Sequence, residues 1–318
     1  MNEKILNLLR NSNDYVSGEE ISHRLGVSRQ AFWKHIQDLK GMGYDIVAVP
    51  HLGYRLVSLP DRLFASEIER GLDTKFMGRK IYYFDTASST NDIAMQLASK
   101  GAPEGTIILS ESQTKGRGRL DRAWISPKYK GIYLSFILKP DILPKDAPIL
   151  TLLAGVSACE ALKEVCGVDS LIKWPNDILA QNKKIGGILT ELSAETDEIH
   201  HIVVGIGLNV NNDKKSLLPS ATSVRELKGE NASRLKLLQE LLRRLEENYL
   251  VFQKKGGAAA IEKWRRLSDT LGRHVRILSH KEHIEGQATD IDTDGGLLVR
   301  QGSGISRKVM SGDVVHCR

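Results

Sequence analysis

Gln113-Thr114-Lys115-Gly116-Arg117-Gly118-Arg119-Leu120-Asp121-Arg122-Ala123-Trp124 follows the apolar run Thr106-Ile107-Ile108-Leu109-Ser110. Its glycines let a backbone approach a ligand closely, and its guanidiniums offer forked donors to phosphate or carboxylate oxygens. A strand followed by a glycine-rich loop could open a doubly wound dinucleotide-binding fold. Here the spacing is G-x-G-x-x-D and no helical periodicity follows, so the dinucleotide fingerprint is excluded. A solvated basic loop is the other reading, and only the loop's partners elsewhere can separate the two.

Working outward, Lys80-Ile81-Tyr82-Tyr83-Phe84 reads as a strand, and the hydroxyl-rich stretch Ser88-Ser89-Thr90-Asn91-Asp92 leads into a helix ending near Lys100-Gly101. That stretch reads first as an N-cap, although hydroxyls and an amide at a helix start also suit a small polar ligand. Strands are expected at about 105–111 and 131–138, then an amphipathic helix over 148–166. Ile172-Lys173-Trp174-Pro175-Asn176-Asp177-Ile178-Leu179 gives two strand pieces broken at a proline. Asn182-Lys183-Lys184 turns into Ile185-Gly186-Gly187-Ile188-Leu189-Thr190-Glu191-Leu192. Adjacent glycines in a strand signal close approach of a ligand or another backbone. A strand at 199–210 carries Gly205-Ile206-Gly207-Leu208-Asn209. A polar loop at 211–231 and helices at about 233–254 and 257–268 follow. Strands with few helices between them predict an α+β domain with a mixed, largely antiparallel sheet.

The first sixty residues read differently. Ile5, Leu8 and Leu9 form a short helical stripe, and Ser17-Gly18-Glu19-Glu20 has the form of a capping box. The second helix stops at Gly26. Ser28 caps a third helix with Val27, Ala31, Phe32, Ile36 and Leu39 on its inner face. Arg29, Gln30, Trp33, Lys34 and Gln37 then face outward, suited to groove edges and phosphates. Residues 44–49 and 54–57 flank Pro50-His51-Leu52-Gly53 as a hairpin, making a winged helix-turn-helix. A protein-interaction module is the plainer alternative. At the other end, short strands at 273–278, 282–290, 297–300, 306–310 and 314–315, with Asp294-Gly295-Gly296 as a turn, predict an SH3-like β-barrel. The domains expected are therefore 1–60, 61–270 and 271–318.

The 318 residues, 41% of them apolar, suffice for such cores. The net charge of +6 does not by itself indicate nucleic acid. Residues 1–60 and 271–318 each carry seven Lys/Arg against six Asp/Glu, so most of the excess lies between them. No apolar run reaches spanning length and the first residues are polar, so neither a membrane helix nor a secretory signal is expected. Cys159, Cys166 and Cys317 form no C-x-x-C pair, which suits a reduced cytoplasmic protein. Cys159 and Cys166, seven apart in a helix, read as core.

Five stretches now stand in order: Ser89-Thr90-Asn91, Gly116-Arg117-Gly118-Arg119, Lys173-Trp174-Pro175-Asn176-Asp177, Lys184-Ile185-Gly186-Gly187-Ile188-Leu189 and Gly205-Ile206-Gly207-Leu208-Asn209. With the winged helix before them and the barrel after, the whole chain resembles the bifunctional biotin–protein ligases that double as biotin-operon repressors. The resemblance implies that Ser89, Thr90, Asn91 and Gln113 hydrogen-bond biotin and that Gly205 and Gly207 leave room for its ring. Arg117, Gly118 and Arg119 would close over its carboxylate and the nucleotide phosphates, and Lys184 would bind the carboxylate and then the anhydride. Arg122, Asn176 and Asn209 would lie with Arg117 and Arg119 on the nucleotide side. In relatives an apolar or aromatic side chain from the loop after Asn212 packs on adenine; here Leu217, Leu218 and Val224 are the candidates.

The chemistry implied is activation of biotin by ATP, arriving with Mg2+, to biotinyl-5′-adenylate. The lysine of a biotin carboxyl carrier protein, of acetyl-CoA carboxylase or another carboxylase, then attacks it. No protein nucleophile is needed, in keeping with the absence of a Ser/His/Asp or Cys/His arrangement. Asp177, from its place in the motif, is the candidate to orient or deprotonate the acceptor amine, and with Lys184 and Arg119 completes the catalytic set; no metal ligand is identified. As a repressor the chain would dimerise with adenylate bound and set two third helices on operator DNA. A lipoate-type ligase and a small-molecule-sensing repressor without ligase activity are the competing assignments.

Overall fold

In a computed structural model, which describes residues 1–12, 14–195, 198–278 and 283–316, the chain divides into two compact units, 1–62 and 63–318. The predicted strand residue Glu282 and Cys317 lie outside the described residues.

The first unit holds α1 (Asn2–Arg10), α2 (Gly18–Leu25), α3 (Arg29–Gly41), β1 (Asp45–Val49) and β2 (Gly53–Ser58). Ile5, Leu6 and Leu9 are the buried residues of α1, so Leu6 takes the place expected of Leu8. Ser17 caps α2 by accepting from the Glu19 amide. The other half of the expected capping box is replaced, because Glu20 pairs with Arg24 at 2.8 Å. Gly26, at φ +65°, closes α2, and Ser28 caps α3 through the Ala31 amide. Phe32, Ile36 and Leu39 bury one face of α3, while Val27 and Ala31 are only half-buried. Phe32 meets Tyr54 of the hairpin edge-on at 5.0 Å, which fixes the wing to the helix.

The second unit is built on seven strands: β3 (Ile81–Phe84), β4 (Ile107–Ser110), β5 (Gly131–Leu138), β6 (Leu171–Lys173), β7 (Asp177–Ala180), β8 (Lys183–Ala194) and β9 (Ile199–Asn209). Their order is β3-β4-β5-β9-β8-β7-β6, with β3 and β4 parallel and every other pair antiparallel. The predicted mixed sheet is thus observed. Two-residue alternation sorts its side chains. Ile132, Leu134 and Phe136 of β5, Ile188 of β8 and Val204, Ile206 and Leu208 of β9 join the main core with α6 (Pro148–Cys166), α8 (Arg234–Lys255) and α9 (Ala258–Leu267). Ile137 and Val203, on the other face, pack with Ala94 and Ala98 of α5 (Thr90–Ser99). Two short helices were not expected: α4 (Ala65–Arg70), and α7 (Val224–Lys228), which Ser223 caps within the stretch read as a polar loop at 211–231.

A buried ion pair ties α8 to the sheet. Arg234 and Glu111 meet at 2.7 Å, both side chains fully buried, and Glu111 also accepts from the Leu63 amide and Tyr83 hydroxyl. Cys159 and Cys166 are free and buried in α6, and burial pushes their thiols up to about 12 and about 11. The core reading of both is borne out.

Beyond α9, β10 (His274–Leu278), β11 (His283–Ile291), β12 (Leu297–Arg300), β13 (Ser306–Val309) and β14 (Asp313–His316) form an antiparallel sheet ordered β13-β12-β11-β10-β14. The Gly295 carbonyl in its β11–β12 turn accepts from the Trp174 indole at 3.1 Å, so the tail buttresses the Trp174-Pro175 corner. No described helix is long and apolar enough to cross a membrane.

Candidate active site

The sheet face toward α5 carries small and polar side chains where the opposite face is aliphatic. Ser135 of β5, Leu189 and Glu191 of β8, and Gly205 and Gly207 of β9 lie on it beside the N-terminus of α5. Ser89 caps that helix through the Asp92 amide, and it also borders the cavity formed there. Both readings of the hydroxyl cluster therefore hold.

A polar array fixes one end of the cavity. Gln113 accepts from the Thr90 amide at 2.8 Å and from its hydroxyl at 3.1 Å, and donates to Ser126 at 3.1 Å. Ser135 donates to Thr90 and Asn91, and Asn91 donates to Glu191 at 2.7 Å and to the Leu189 carbonyl at 3.2 Å. Polar groups so interlocked keep their orientation when a ligand arrives, which is what recognition of a small polar head requires.

The loop arginines cover the other end. Arg117 is gripped by Glu191 at 2.7 Å and Asp92 at 2.5 Å; these hydrogen bonds, Glu191's the larger, hold its pKa above the ordinary guanidinium value. Arg122 pairs with Asp313 of the C-terminal sheet. Lys184 meets Asp177 at 2.6 Å and sits 5.5 Å from the Trp124 ring. Arg119 differs. Its guanidinium donates to the Asn176 side chain at 3.3 Å and the Gly312 carbonyl at 3.2 Å, with no carboxylate hydrogen-bonded to it among the described residues. Burial lowers its pKa, as expected of a cation held from water without a bound counter-charge.

Gly205 and Gly207 border the cavity, and the space that their missing side chains leave is taken up by neighbouring side chains. A Cβ at Gly205 would run into the Asn91 carboxamide, with Cγ at 2.9 Å, and one at Gly207 would lie 2.5 Å from the Trp124 indole. Trp124 therefore fills the place expected for a ring, its indole nitrogen is buried without a partner among the described residues, and the cavity is only about 120 Å3. That is below the ~300 Å3 lower end of typical ligand pockets. Asn209 lies apart from the other expected residues. Its amide is buried and donates to the Thr222 carbonyl, holding the 211–223 loop, and it does not border the cavity. Of the three apolar candidates for adenine, Val224 is core, Leu217 half-buried and Leu218 exposed.

The remaining expected residues, Ser89, Thr90, Asn91, Gln113, Arg117, Gly118, Arg119, Arg122, Asn176, Asp177 and Lys184, all border this one cavity. Sequence reasoning missed Asp92, Ser135, Glu191, Gly312 and Asp313. Glu191 had a signal: a charged residue two positions beyond Leu189, on the glycine-bearing face of a buried strand.

A sheet with a cationic loop over a helix-capping polar array defines a class, the adenylating ligases of the biotin and lipoate type. The match to the Biotin/lipoate A/B protein ligase family covers residues 83–209, an HTH domain covers 2–55 and a Biotin protein ligase C terminal domain covers 270–317. The bifunctional ligase/repressor BirA of Bacillus subtilis is 40% identical over 306 residues, 95% of this chain and 94% of that protein. The Escherichia coli BirA is 32% identical over 98% of this chain and 95% of its own length. The Aquifex aeolicus biotin protein ligase, solved in complex with biotin and ATP, superposes with TM-score 0.65 at 31% identity, over 76% of this chain and 99% of that one. The chain belongs to the bifunctional ligase/repressor family of biotin–protein ligases.

Proposed function

We propose that this cavity uses ATP to activate biotin as biotinyl-5′-adenylate and then passes the biotinyl group to a lysine of a biotin-dependent carboxylase. Arg119 is the observation that carries the assignment of roles. Carboxylate and triphosphate repel, so bringing them together needs a cation whose charge is not already neutralised by a bound acid. Arg119 meets that requirement in the described structure. Thr90, Asn91 and Gln113 hold the ureido head, and Trp124 withdraws from Gly207 to admit the ring. Lys184 exchanges Asp177 for the biotin carboxylate, and Arg122 and Asn176 lie on the nucleotide side. Asp177, released by that exchange, orients or takes the proton of the acceptor amine. Closing the arginine loop also keeps water from the anhydride.

The same chain represses biotin genes. Arg29, Gln30, Trp33, Lys34 and Gln37 are all exposed along α3, as groove contact requires. Adenylate-linked dimerisation has a physical support in β8. Its residues 189–194 pair with β9 on one side and with no strand on the other among the described residues. An unpaired edge invites a second copy. We take the three domains as 1–60, 61–270 and 271–318 and the location as cytoplasmic, with operator DNA and carrier protein as partners. Pyrophosphate exchange with biotin, and none with lipoate, tests the ligase reading; sedimentation with biotin and ATP tests the dimer.

A further inference from the structure

A second cleft, about 330 Å3, shares Lys184 and Asp177 with the cavity under the loop and is otherwise lined by different residues. Its cations are Lys173 and Arg273 besides Lys184, and Asn182 and Ser220 add neutral donors. Both acids on its wall are committed: Asp177 to Lys184 at 2.6 Å and Asp269 to Arg273 at 2.5 Å. Lys173 is half-buried, and its ammonium has no ion-pair or hydrogen-bond partner among the described residues. The cross-strand pairing of Lys173 with Asp177 puts it next to the reacting pair. Lys173 opens the third of the five motifs, and the roles given above to that motif's residues leave it without one.

From this arrangement we infer that the second cleft is the pyrophosphate subsite of the adenylation step, with Lys173 as its principal anion-binding residue. The inference rests on biotin occupying the cavity under the arginine loop. In that step a biotin carboxylate oxygen bonds to the α-phosphorus of ATP. The bond from that phosphorus to the α–β bridging oxygen breaks, and its electron pair leaves with inorganic pyrophosphate. No net proton transfer is required. Entering and leaving oxygens lie roughly in line. A carboxylate approaching from the cavity under the loop therefore sends the pyrophosphate away from that cavity, and the cleft, which shares Lys184 with it, offers the cations to receive it. Lys184 touches both cavities and offsets charge on either anion, while Lys173 meets only the leaving group.

The test separates the two half-reactions in the full-length protein. In one, preformed biotinyl-5′-adenylate is mixed with increasing inorganic pyrophosphate and ATP formation is followed. In the other, the adenylate is given to an acceptor carrier domain with no pyrophosphate present. Lys173→Gln is expected to raise the half-saturating pyrophosphate concentration at least about tenfold, and Lys173→Arg to stay within about threefold of wild type, because a bound trianion senses charge more than shape. Transfer to the carrier is expected at the wild-type rate in both variants, which also shows that they fold. An unchanged pyrophosphate dependence in Lys173→Gln, or equal slowing of both half-reactions, overturns the subsite. Wild-type protein that makes no ATP from adenylate and pyrophosphate overturns the ligase reading beneath it, an outcome visible without any variant.

Discussion

Replacing Gly205 by alanine should destabilise the fold and weaken biotin recognition through a residue on another element. The added methyl group would overlap the Asn91 carboxamide, with Cγ at 2.9 Å, Nδ2 at 3.2 Å and Oδ1 closer than either. Ordinary contact lies at about 3.5–4.0 Å, so the amide has to retreat or rotate. Asn91 cannot do so freely, since its amide holds Glu191 at 2.7 Å, the Leu189 carbonyl at 3.2 Å and Ser135 at 2.6 Å. Neutral bonds contribute about 0.5–1.5 kcal/mol each and one to a carboxylate about 1.5–3. Taking the low ends, because a displaced amide recovers some bonding, the loss is ~2.5 kcal/mol. If the amide is a recognition group, its displacement also denies biotin one neutral hydrogen bond, ~1 kcal/mol, or about a fivefold loss in affinity. The ~2.5 kcal/mol of bonding lost within the protein corresponds to a melting-temperature drop of ~5–10 °C for a unit of this size. Titration calorimetry with biotin and a thermal melt measure the two. Gly187→Ala supplies the contrast. A Cβ there meets only the far ends of movable side chains, Lys184 Cε at 3.2 Å and the Trp124 ring at 3.4 Å, and should change stability by less than ~1 kcal/mol. If Gly205→Ala bound biotin within about twofold of wild type and melted as it does, the reasoning from steric overlap to recognition would be wrong.

The other perturbations are briefer. Asp177→Asn removes the charge that pairs with Lys184, and it should slow transfer to the carrier far more than adenylate formation; single-turnover rates that fall equally in both steps would contradict a role in handling the acceptor amine. Arg119→Gly cuts the loop from Asn176 and Gly312, and it should release adenylate into solution. Indiscriminate biotinylation of a bystander protein reports the leak, and labelling confined to the natural acceptor would contradict it. His201 is buried with Nε2 unpartnered among the described residues, and burial, then Lys139 and His200, lower its pKa below the ordinary 6.5. The folded state therefore binds this proton less readily than the unfolded one, so the stability it confers is complete above about pH 6.5 and lost as pH falls below it. His201→Gln should flatten the fall in melting temperature between about pH 7.5 and 5.5; an unchanged slope would assign the fall to other groups.

Element boundaries followed from periodicity wherever one face of an element is buried. The helix read at 148–166 is the observed α6, but it is buried on nearly all sides rather than amphipathic, and Pro148 and Gly167, the latter at φ +60°, mark its ends. α4 escaped notice because it spans six residues with only Glu67 and Ile68 buried, too short to show a period. The capping box was half right for a local reason: Glu20 has Arg24 one turn ahead as a charged partner.

At the site, the sequence exposed the residues with unusual chemistry and concealed the ones that hold them. Arginines among glycines and doubled glycines in strands stand out because they break the local rule. Glu191, Asp92 and Asp313 looked like ordinary acids, yet each binds an arginine from a loop 74, 25 and 191 positions away in sequence. The consequence is chemical as well as topological. Those acids neutralise Arg117 and Arg122 and leave Arg119 as the loop arginine without a bound carboxylate among the described residues. A reading that weights the three arginines equally therefore cannot rank them. Rank depends on which carboxylates the fold delivers, and alternation along β8 is the one sequence pattern that could have placed Glu191 on the face shared with Gly187.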